Sequence, residues 1–478
     1  MLNVAPLTGP DFPMTANGPS IFPASTGDSG PPGDDALVAR YARRLPRYTS
    51  YPAATHFSAG VTADDYARWL AQTPTDAPLS LYLHVPFCEH LCFYCGCHTT
   101  VTRRPETTHA YANLLRREIH MVAEQLGGER RPVSSIHWGG GTPTMLSSND
   151  IIGLSCMLRY HFNILGTADI AMEIDPRQLT RIHVEAIAAI GVNRVSLGVQ
   201  TFDPAVQKAI NREQSFAMTE QAVGWLRRVG IDEINFDLLY GLPFQTDTSV
   251  ETTIRQAAAL RPARMSLFGY AHVPWMKKHQ RMIPDDALPS PAERLRQYRT
   301  AAAAIEAEGY VPVGLDHFAR PDDLLAQRLS SGNLHRNFQG YTADTASTLI
   351  GFGASAIGSF GDGYVQNAPD LKQYREAISQ GHFATVRGYA LAGEDRMRRA
   401  IIERLMCDLR VDLGAFDPSP VAFAPELEKL EALKSDGLVK VAGRVVSIPP
   451  AMRPFARVVC ATFDTHLDPA QTQHSGAI

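Results

Sequence analysis

Leu79-Ser-Leu-Tyr-Leu-His-Val85, followed by Pro-Phe-Cys88-Glu-His-Leu-Cys92-Phe-Tyr-Cys95-Gly-Cys97, is the stretch from which the rest of the chain can be read. Ser80–Val85 is rich in β-forming side chains and reads as a strand. The thiols of Cys88, Cys92 and Cys95, in a C-x3-C-x2-C spacing, therefore sit on a loop at a strand's C-terminal end. Zinc sites commonly take four ligands as two separated pairs. No second Cys pair exists here, although Cys97 or His98 could complete a tetrahedron. Three thiolates can instead hold a cubic iron–sulfur cluster and leave one iron open to a small molecule. Both readings of the metal stand at this point. Four of the seven Cys belong to this loop, whereas Cys156, Cys407 and Cys460 are scattered and read as small buried hydrophobes. That distribution is unlike a disulfide framework and points to a reducing, cytoplasmic compartment.

Outward from the loop, short β-rich runs alternate with longer helical patterns. The expected strands are Ser80–Val85, Ser134–Trp138, Ile170–Ile174, Arg194–Val199, Ile234–Leu239 and Met265–Phe268. Helical spacing of apolar residues covers Glu106–Leu126, Asn149–Phe162, Arg181–Ile190, Ser215–Val229 and Val250–Leu260. This is the signature of an α/β fold with a parallel sheet, a partial (β/α)6 barrel of TIM type, whose ligand-handling residues belong at strand C-terminal ends. Beyond residue 285, Ser290–Glu308 and Arg396–Leu409 read as long helices with no strands of matching length between them. From Glu426, a helix, a strand pair (Val439–Val441 and Val445–Ile448) and a helix ending near Thr465 predict a small, mainly helical C-terminal domain with a winged-helix shape. Its basic residues are too sparse for DNA binding, so a cap is expected.

The expected organisation is a Pro/Gly-rich disordered tail over 1–36, an N-terminal arm over 37–78 and the barrel over 79–285. A barrel extension carrying a substrate-pocket segment follows over 286–385, and the cap over 386–478. Residues 1 to 35 hold seven Pro and five Gly, too little apolar surface to offset chain entropy, and lack the basic start and apolar stretch of a secretory signal. Pro46–Pro52 is aromatic and basic but not periodic, which suits an arm lying across another surface. Lys+Arg 45 against Asp+Glu 49 leaves a net charge of -4 and no support for a nucleic-acid partner. No run approaches the roughly 20 apolar residues of a membrane span.

Gly139-Gly-Gly141 closes the second strand, where glycines let backbone groups approach a ligand closely. Glu173 ends the third strand, where a carboxylate can accept from an amine or a ribose hydroxyl. Gln200 ends the fourth, and Asp237 lies near the end of the fifth. Gly351-Phe-Gly-Ala-Ser-Ala-Ile-Gly358 has the look of a dinucleotide loop but lacks a clean preceding strand and a ribose-binding acid, so it is assigned to the barrel mouth.

The C-x3-C-x2-C spacing with Tyr94 before its last Cys resembles the signature of the radical S-adenosylmethionine (SAM) enzymes. The full set narrows this: Cys88–Cys97, His137-Trp-Gly-Gly-Gly-Thr-Pro143, Glu173-Ile-Asp-Pro-Arg177, Gly198-Val-Gln200, Asn211-Arg-Glu-Gln214, Asp237-Leu-Leu-Tyr-Gly-Leu-Pro243 and His335-Arg-Asn-Phe-Gln-Gly-Tyr341. Together they resemble the oxygen-independent coproporphyrinogen III oxidases, from about Pro46 to Leu467 and including Asp316-His-Phe-Ala-Arg-Pro-Asp322. The resemblance implies oxidative decarboxylation of two propionates of coproporphyrinogen III to vinyl groups, giving protoporphyrinogen IX in haem synthesis. It implies a 4Fe-4S cluster on Cys88, Cys92 and Cys95, with SAM on the open iron cleaved to a 5'-deoxyadenosyl radical. Two SAM molecules are implied. Tyr82, Gly140, Glu173 and Ile357 would serve the first; Tyr94, Gly141, Thr142, Gln200, Arg212, Asp237 and Ala271 the second. Cys97 matches a fourth family cysteine that is not a cluster ligand and is carried as a catalytic candidate, with His84 supporting the loop. A low-potential electron donor of flavodoxin or ferredoxin type and a monomeric enzyme are also expected. Arg43, Arg44, Arg47, Arg320 and Arg336 are candidate partners of the substrate's propionates. Related haem chaperones keep the three-Cys motif but typically lack Gly96-Cys97 and the Pro46–Pro52 arm, and a radical SAM methyltransferase would not need the 316–322 and 335–341 segments.

Overall fold

The structure, a computed structural model, describes residues 33–419, 421–467 and Gly476. Most of the expected tail over 1–36 lies outside the described residues. Twelve strands form one sheet. In chain order they are β1 (Leu79–Val85), β2 (Pro132–Gly140), β3 (Asn163–Ile174), β4 (Arg194–Gln200), β5 (Glu233–Tyr240), β6 (Arg264–Gly269), β7 (Val311–Val313), β8 (His317–Ala319), β9 (Thr348–Phe352), β10 (Ile357–Phe360), β11 (Gly363–Asn367) and β12 (Thr385–Ala390). Their spatial order is β12-β11-β10-β9-β1-β2-β3-β4-β5-β6-β8-β7. The run from β9 through β1 to β6 pairs parallel throughout, and both flanks continue antiparallel. Helices Pro105–Gln125, Ser148–His161, Arg181–Ala189, Phe216–Arg228 and Asp247–Ala259 link the parallel strands. β1 is buried everywhere except at Tyr82, as expected of a parallel strand covered on both faces.

The partial α/β barrel is present, with differences from the sequence expectation after residue 285. Strands do intervene between the helices Pro291–Ala307 and Asp395–Asp408, among them β9, a seventh parallel strand beside β1. Gly351-Phe-Gly-Ala-Ser-Ala-Ile-Gly358 therefore does have a strand before it. It runs from the end of β9 through the hairpin turn into the start of β10, a strand–turn–strand arrangement unlike a phosphate loop opening a helix. β9 to β12 escaped notice because they are short and each carries a glycine. Cys407 and Cys460 are buried, but Cys156 is exposed on its helix, contrary to expectation.

The C-terminal unit packs helices Asp395–Asp408, Ala424–Ser435 and Ala456–Cys460 against a three-stranded sheet of β13 (Arg410–Asp412), β14 (Lys440–Ala442) and β15 (Val445–Ser447), in the order β13-β15-β14. Its apolar core takes in Leu37, Tyr41, Leu45, Tyr48 and Tyr51 from the N-terminal arm and Leu295 from the barrel side. The arm thus belongs to a core rather than lying across a surface. Tyr48 Oη donates to Asp464 at 3.1 Å, Tyr51 Oη meets Thr465 Oγ1 at 3.0 Å, and Tyr364 Oη donates to the Tyr51 carbonyl at 3.1 Å. A buried tyrosine needs a partner for its hydroxyl, and these contacts supply one.

Candidate active site

The cysteine loop leaves β1 at Val85 and is pinned from both sides. Gly141 N–H donates to the Val85 carbonyl (2.9 Å) and Thr142 N–H to that of Phe87 (2.7 Å), tying the loop to the end of β2. Phe93 N–H reaches the Ile210 carbonyl at 2.9 Å, and Asn211 Nδ2 reaches that of Leu91 at 2.8 Å. A segment after β6 closes over the loop. Lys277 Nζ donates to the Cys97 carbonyl (2.8 Å), His279 Nε2 lies 2.7 Å from that of Cys95, and the buried Gln280 bonds that of Tyr94 (3.0 Å).

At the C-terminal ends of β2 to β6 lies a cavity of about 620 Å³. Gly140 and Gly141 owe their identity to the protein around them. Gly140 has φ +114°, and a Cβ there would strike the His84 ring at 2.7 Å. At Gly141 a Cβ would come 2.6 Å from the Phe87 carbonyl oxygen. Any side chain would push β2 away from the cysteine loop. Gly140 N–H donates to Glu173 Oε2 at 3.1 Å, and His137 Nε2 sits 3.0 Å from Oε1. Burial opposes the Glu173 charge, but the His137 and Gly140 contacts hold the carboxyl below its ordinary value.

Asp237 sits on the neighbouring rim. Burial raises its carboxyl to about 6, against hydrogen bonds from Ser196 Oγ (2.7 Å) and Asn235 Nδ2 (2.9 Å), with the Glu173 charge adding to the rise. Gln200 closes β4 in a left-handed conformation, φ +67°, which turns the chain at the cavity wall. Arg212 bridges to the Gly198 carbonyl (2.6 Å) and Asp175 Oδ2 (3.1 Å), while Arg177 pairs with the same carboxylate at 2.6 Å. Asp175 is drawn down to about 2: its burial is outweighed by Arg212 and Arg177. Both guanidiniums also face sulfur, with Arg177 Nη2 at 3.4 Å and Arg212 Nη1 at 3.6 Å from Cys92 Sγ.

The cavity brings together Cys88, Cys92, Cys95 and Cys97 with Tyr94, Gly140, Gly141, Thr142, Glu173, Gln200, Arg212, Asp237 and Ala271. Tyr82 and Ile357 stand outside its lining. Tyr82 Oη bonds His84 Nδ1 at 2.9 Å, and Ile357 packs with Phe57, Tyr364 and Leu391. Sequence reading missed Asp175, Arg177, Ser196 and Gln280. The first two share the Glu173–Arg177 motif and could have been found two and four residues past Glu173, whereas Gln280 acts through backbone carbonyls and leaves no pattern. Of the five arginines expected to meet propionates, Arg47 and Arg336 line a neighbouring cavity. Arg320 pairs with Asp322, Arg44 stacks on Trp275, and Arg43 lines neither space.

The profile of the Radical SAM superfamily matches residues 82–257, and that of the HemN C-terminal domain matches 391–455. An oxygen-independent coproporphyrinogen III oxidase of Bradyrhizobium diazoefficiens is 50% identical over 93% of this chain and 99% of its own length. The enzyme of the same name from Paracoccus denitrificans is 43% identical over 91% of this chain and 97% of its own. The chain belongs to the oxygen-independent coproporphyrinogen III oxidase family. A solved family structure, coproporphyrinogen III oxidase (HemN) from Escherichia coli, described as a radical SAM enzyme, matches with TM-score 0.85 at 40% identity, over 91% of this chain and 100% of that one.

Radical SAM membership implies a 4Fe-4S cluster and SAM, and the donor set here fits them. Three thiols share one cavity wall, and two guanidiniums aim at Cys92 Sγ, as an anionic cluster requires. Among the described residues no three His, Cys, Asp or Glu side chains are gathered closely enough to hold a single metal ion.

Proposed function

We propose that this chain oxidises coproporphyrinogen III without oxygen, converting two propionates to vinyl groups with loss of carbon dioxide and giving protoporphyrinogen IX for haem biosynthesis. One observation carries the reading: the Cys88–Cys95 loop and nine of the eleven residues expected to serve SAM line a single cavity at the strand ends. When bound, the cluster supplies an electron and SAM the hydrogen-abstracting radical that begins the oxidation of a propionate β-carbon.

The chain's own residues hold and orient these groups. Cys88, Cys92 and Cys95 are the cluster ligands, with Arg177 and Arg212 neutralising charge at Cys92. Gly140 and Glu173 serve a first SAM on the β2–β3 side of the rim, where Glu173 keeps lone pairs free to accept from an amine or hydroxyl. Tyr94, Gly141, Thr142, Gln200, Arg212, Asp237 and Ala271 serve a second SAM, mostly from the β4–β6 side. Tyr82 acts from behind the rim through His84, and Ile357 through the β9–β10 turn. Cys97 is a catalytic candidate because it lines the cavity beside the three ligand cysteines. An external flavodoxin- or ferredoxin-type donor delivers the electrons to a monomeric enzyme. All seven cysteines are unpaired, which supports a cytoplasmic setting; among the described residues no helix is long and apolar enough to cross a membrane.

The test is an anaerobic assay with reductant, SAM and coproporphyrinogen III. Vinyl product with SAM cleavage is expected, and cleavage of SAM with intact propionates refutes the reading. Cys92→Ala is expected to lose the brown chromophore and turnover together.

A further inference from the structure

A second cavity, of about 220 Å³, adjoins the first and shares with it Arg47 and the end of β6, Phe268–Ala271. Among the described residues, Arg47, Arg294, Arg336 and Arg457 line it against one carboxylate, Asp316. Four cations against one acid leave three without an acid of their own in this space. Asp316 is already engaged, 2.8 Å from His317 Nδ1 and 3.9 Å from Arg336 Nη1. Burial alone would raise its carboxyl, but His317, Arg336 and Arg47 bring it to about 2, so it stays anionic.

The arginines are incompletely used. The Arg336 side chain is only 6% exposed, yet its Nε and Nη1 make no hydrogen bond among the described residues; Arg457 Nε makes none either. Arg294 spends Nη1 on the Tyr270 carbonyl at 2.8 Å and stands 5.8 Å over the Tyr240 ring. Among the described residues Arg457 reaches only backbone carbonyls, those of Leu45 (3.3 Å) and Gly476 (2.6 Å). Burial and then the charge of Arg47 pull Arg457 down to about 10. A buried cation with idle donors, as Arg336 is, is costly unless a ligand completes it.

The missing partner is an anion. Guanidinium geometry suits carboxylates two oxygens at a time. The volume lies below the roughly 300 Å³ of a whole small-molecule site, so the space fits side chains of a ligand whose body rests in the larger cavity. We propose that Arg47, Arg294, Arg336 and Arg457 form a carboxylate clamp that holds propionates of the porphyrinogen not being oxidised and thereby presents the reacting one at the shared wall, Phe268–Ala271. This rests on the function proposed above and adds Arg294 and Arg457, which no sequence motif marked.

The test measures binding of coproporphyrinogen III and of its uncharged tetramethyl ester to anaerobic holoenzyme, wild type and the variants Arg294→Gln and Arg457→Gln, with cluster absorption checked in each. Each variant is expected to bind the acid about tenfold more weakly and the ester as the wild type does. Unchanged affinity for the acid, or equal losses for acid and ester, overturns the clamp. Should a variant fail to load its cluster, the wild type alone decides. Raising ionic strength from about 0.05 to 0.5 M must weaken the acid and spare the ester, and a flat response for the acid overturns the proposal. Turnover is scored separately: a wild type that binds the acid but forms no vinyl product refutes the function, while the affinities still judge the clamp.

Discussion

At the scale of single residues, position relative to a strand end was the readable signal. Glu173, Gln200 and Asp237 are legible as rim residues because each lies at or near the C-terminal end of a strand. Asp175 and Arg177 are not, since their importance lies in a pairing with Arg212 that sequence separation conceals. Ile357 and Tyr82 carried a family expectation that the cavity lining does not include. Asp237 yields a measurable consequence. Its carboxyl is raised to about 6 by burial, so it is ionised above that pH and neutral below. If the carboxylate accepts from the second SAM proposed above, affinity for that molecule should fall as pH drops through about 6. Asp237→Asn should bind that molecule weakly at every pH. Equilibrium dialysis against pH checks both, and a pH-independent wild type speaks against the role.

Among the elements, legibility followed the repeat of strand and helix. β1 to β6 are each followed by a helix and repeat one strand–helix rhythm, while β9 to β11, though β9 and β11 are buried throughout, follow one another without intervening helices. Glu118 on the helix Pro105–Gln125 secures this part. It accepts from Gly353 N–H (2.7 Å), Tyr374 Oη (2.8 Å) and Asn367 Nδ2 (2.6 Å). Glu118→Gln must turn an amide donor toward one of those donors, and is expected to cost about 1–3 kcal/mol in urea unfolding. Burial raises the Glu118 carboxyl from 4.5 to about 7. A raised carboxyl contributes stability fully below its unfolded value and loses it as pH climbs through the folded one. The gap between wild type and variant should therefore narrow from about pH 5 to 8, and a gap that widens contradicts the assignment.

Over the whole molecule, the arm and the C-terminal unit make one core that closes against the barrel. The sequence announced each part but not their union, because Tyr48 and Tyr51 find partners more than 400 positions away. Tyr51 is 1% exposed, and Tyr51→Ala should cost about 3–5 kcal/mol, seen as loosening of both the arm and the Asp464–Thr465 segment in hydrogen exchange. Loosening of the arm alone would argue against a shared core. The most direct trial of the whole account is electron paramagnetic resonance of the reduced, reconstituted protein, recorded before and after SAM is added. A cubane signal that shifts on addition is what three thiolates and one free iron corner require. Bound zinc, or a cubane spectrum indifferent to SAM, contradicts it.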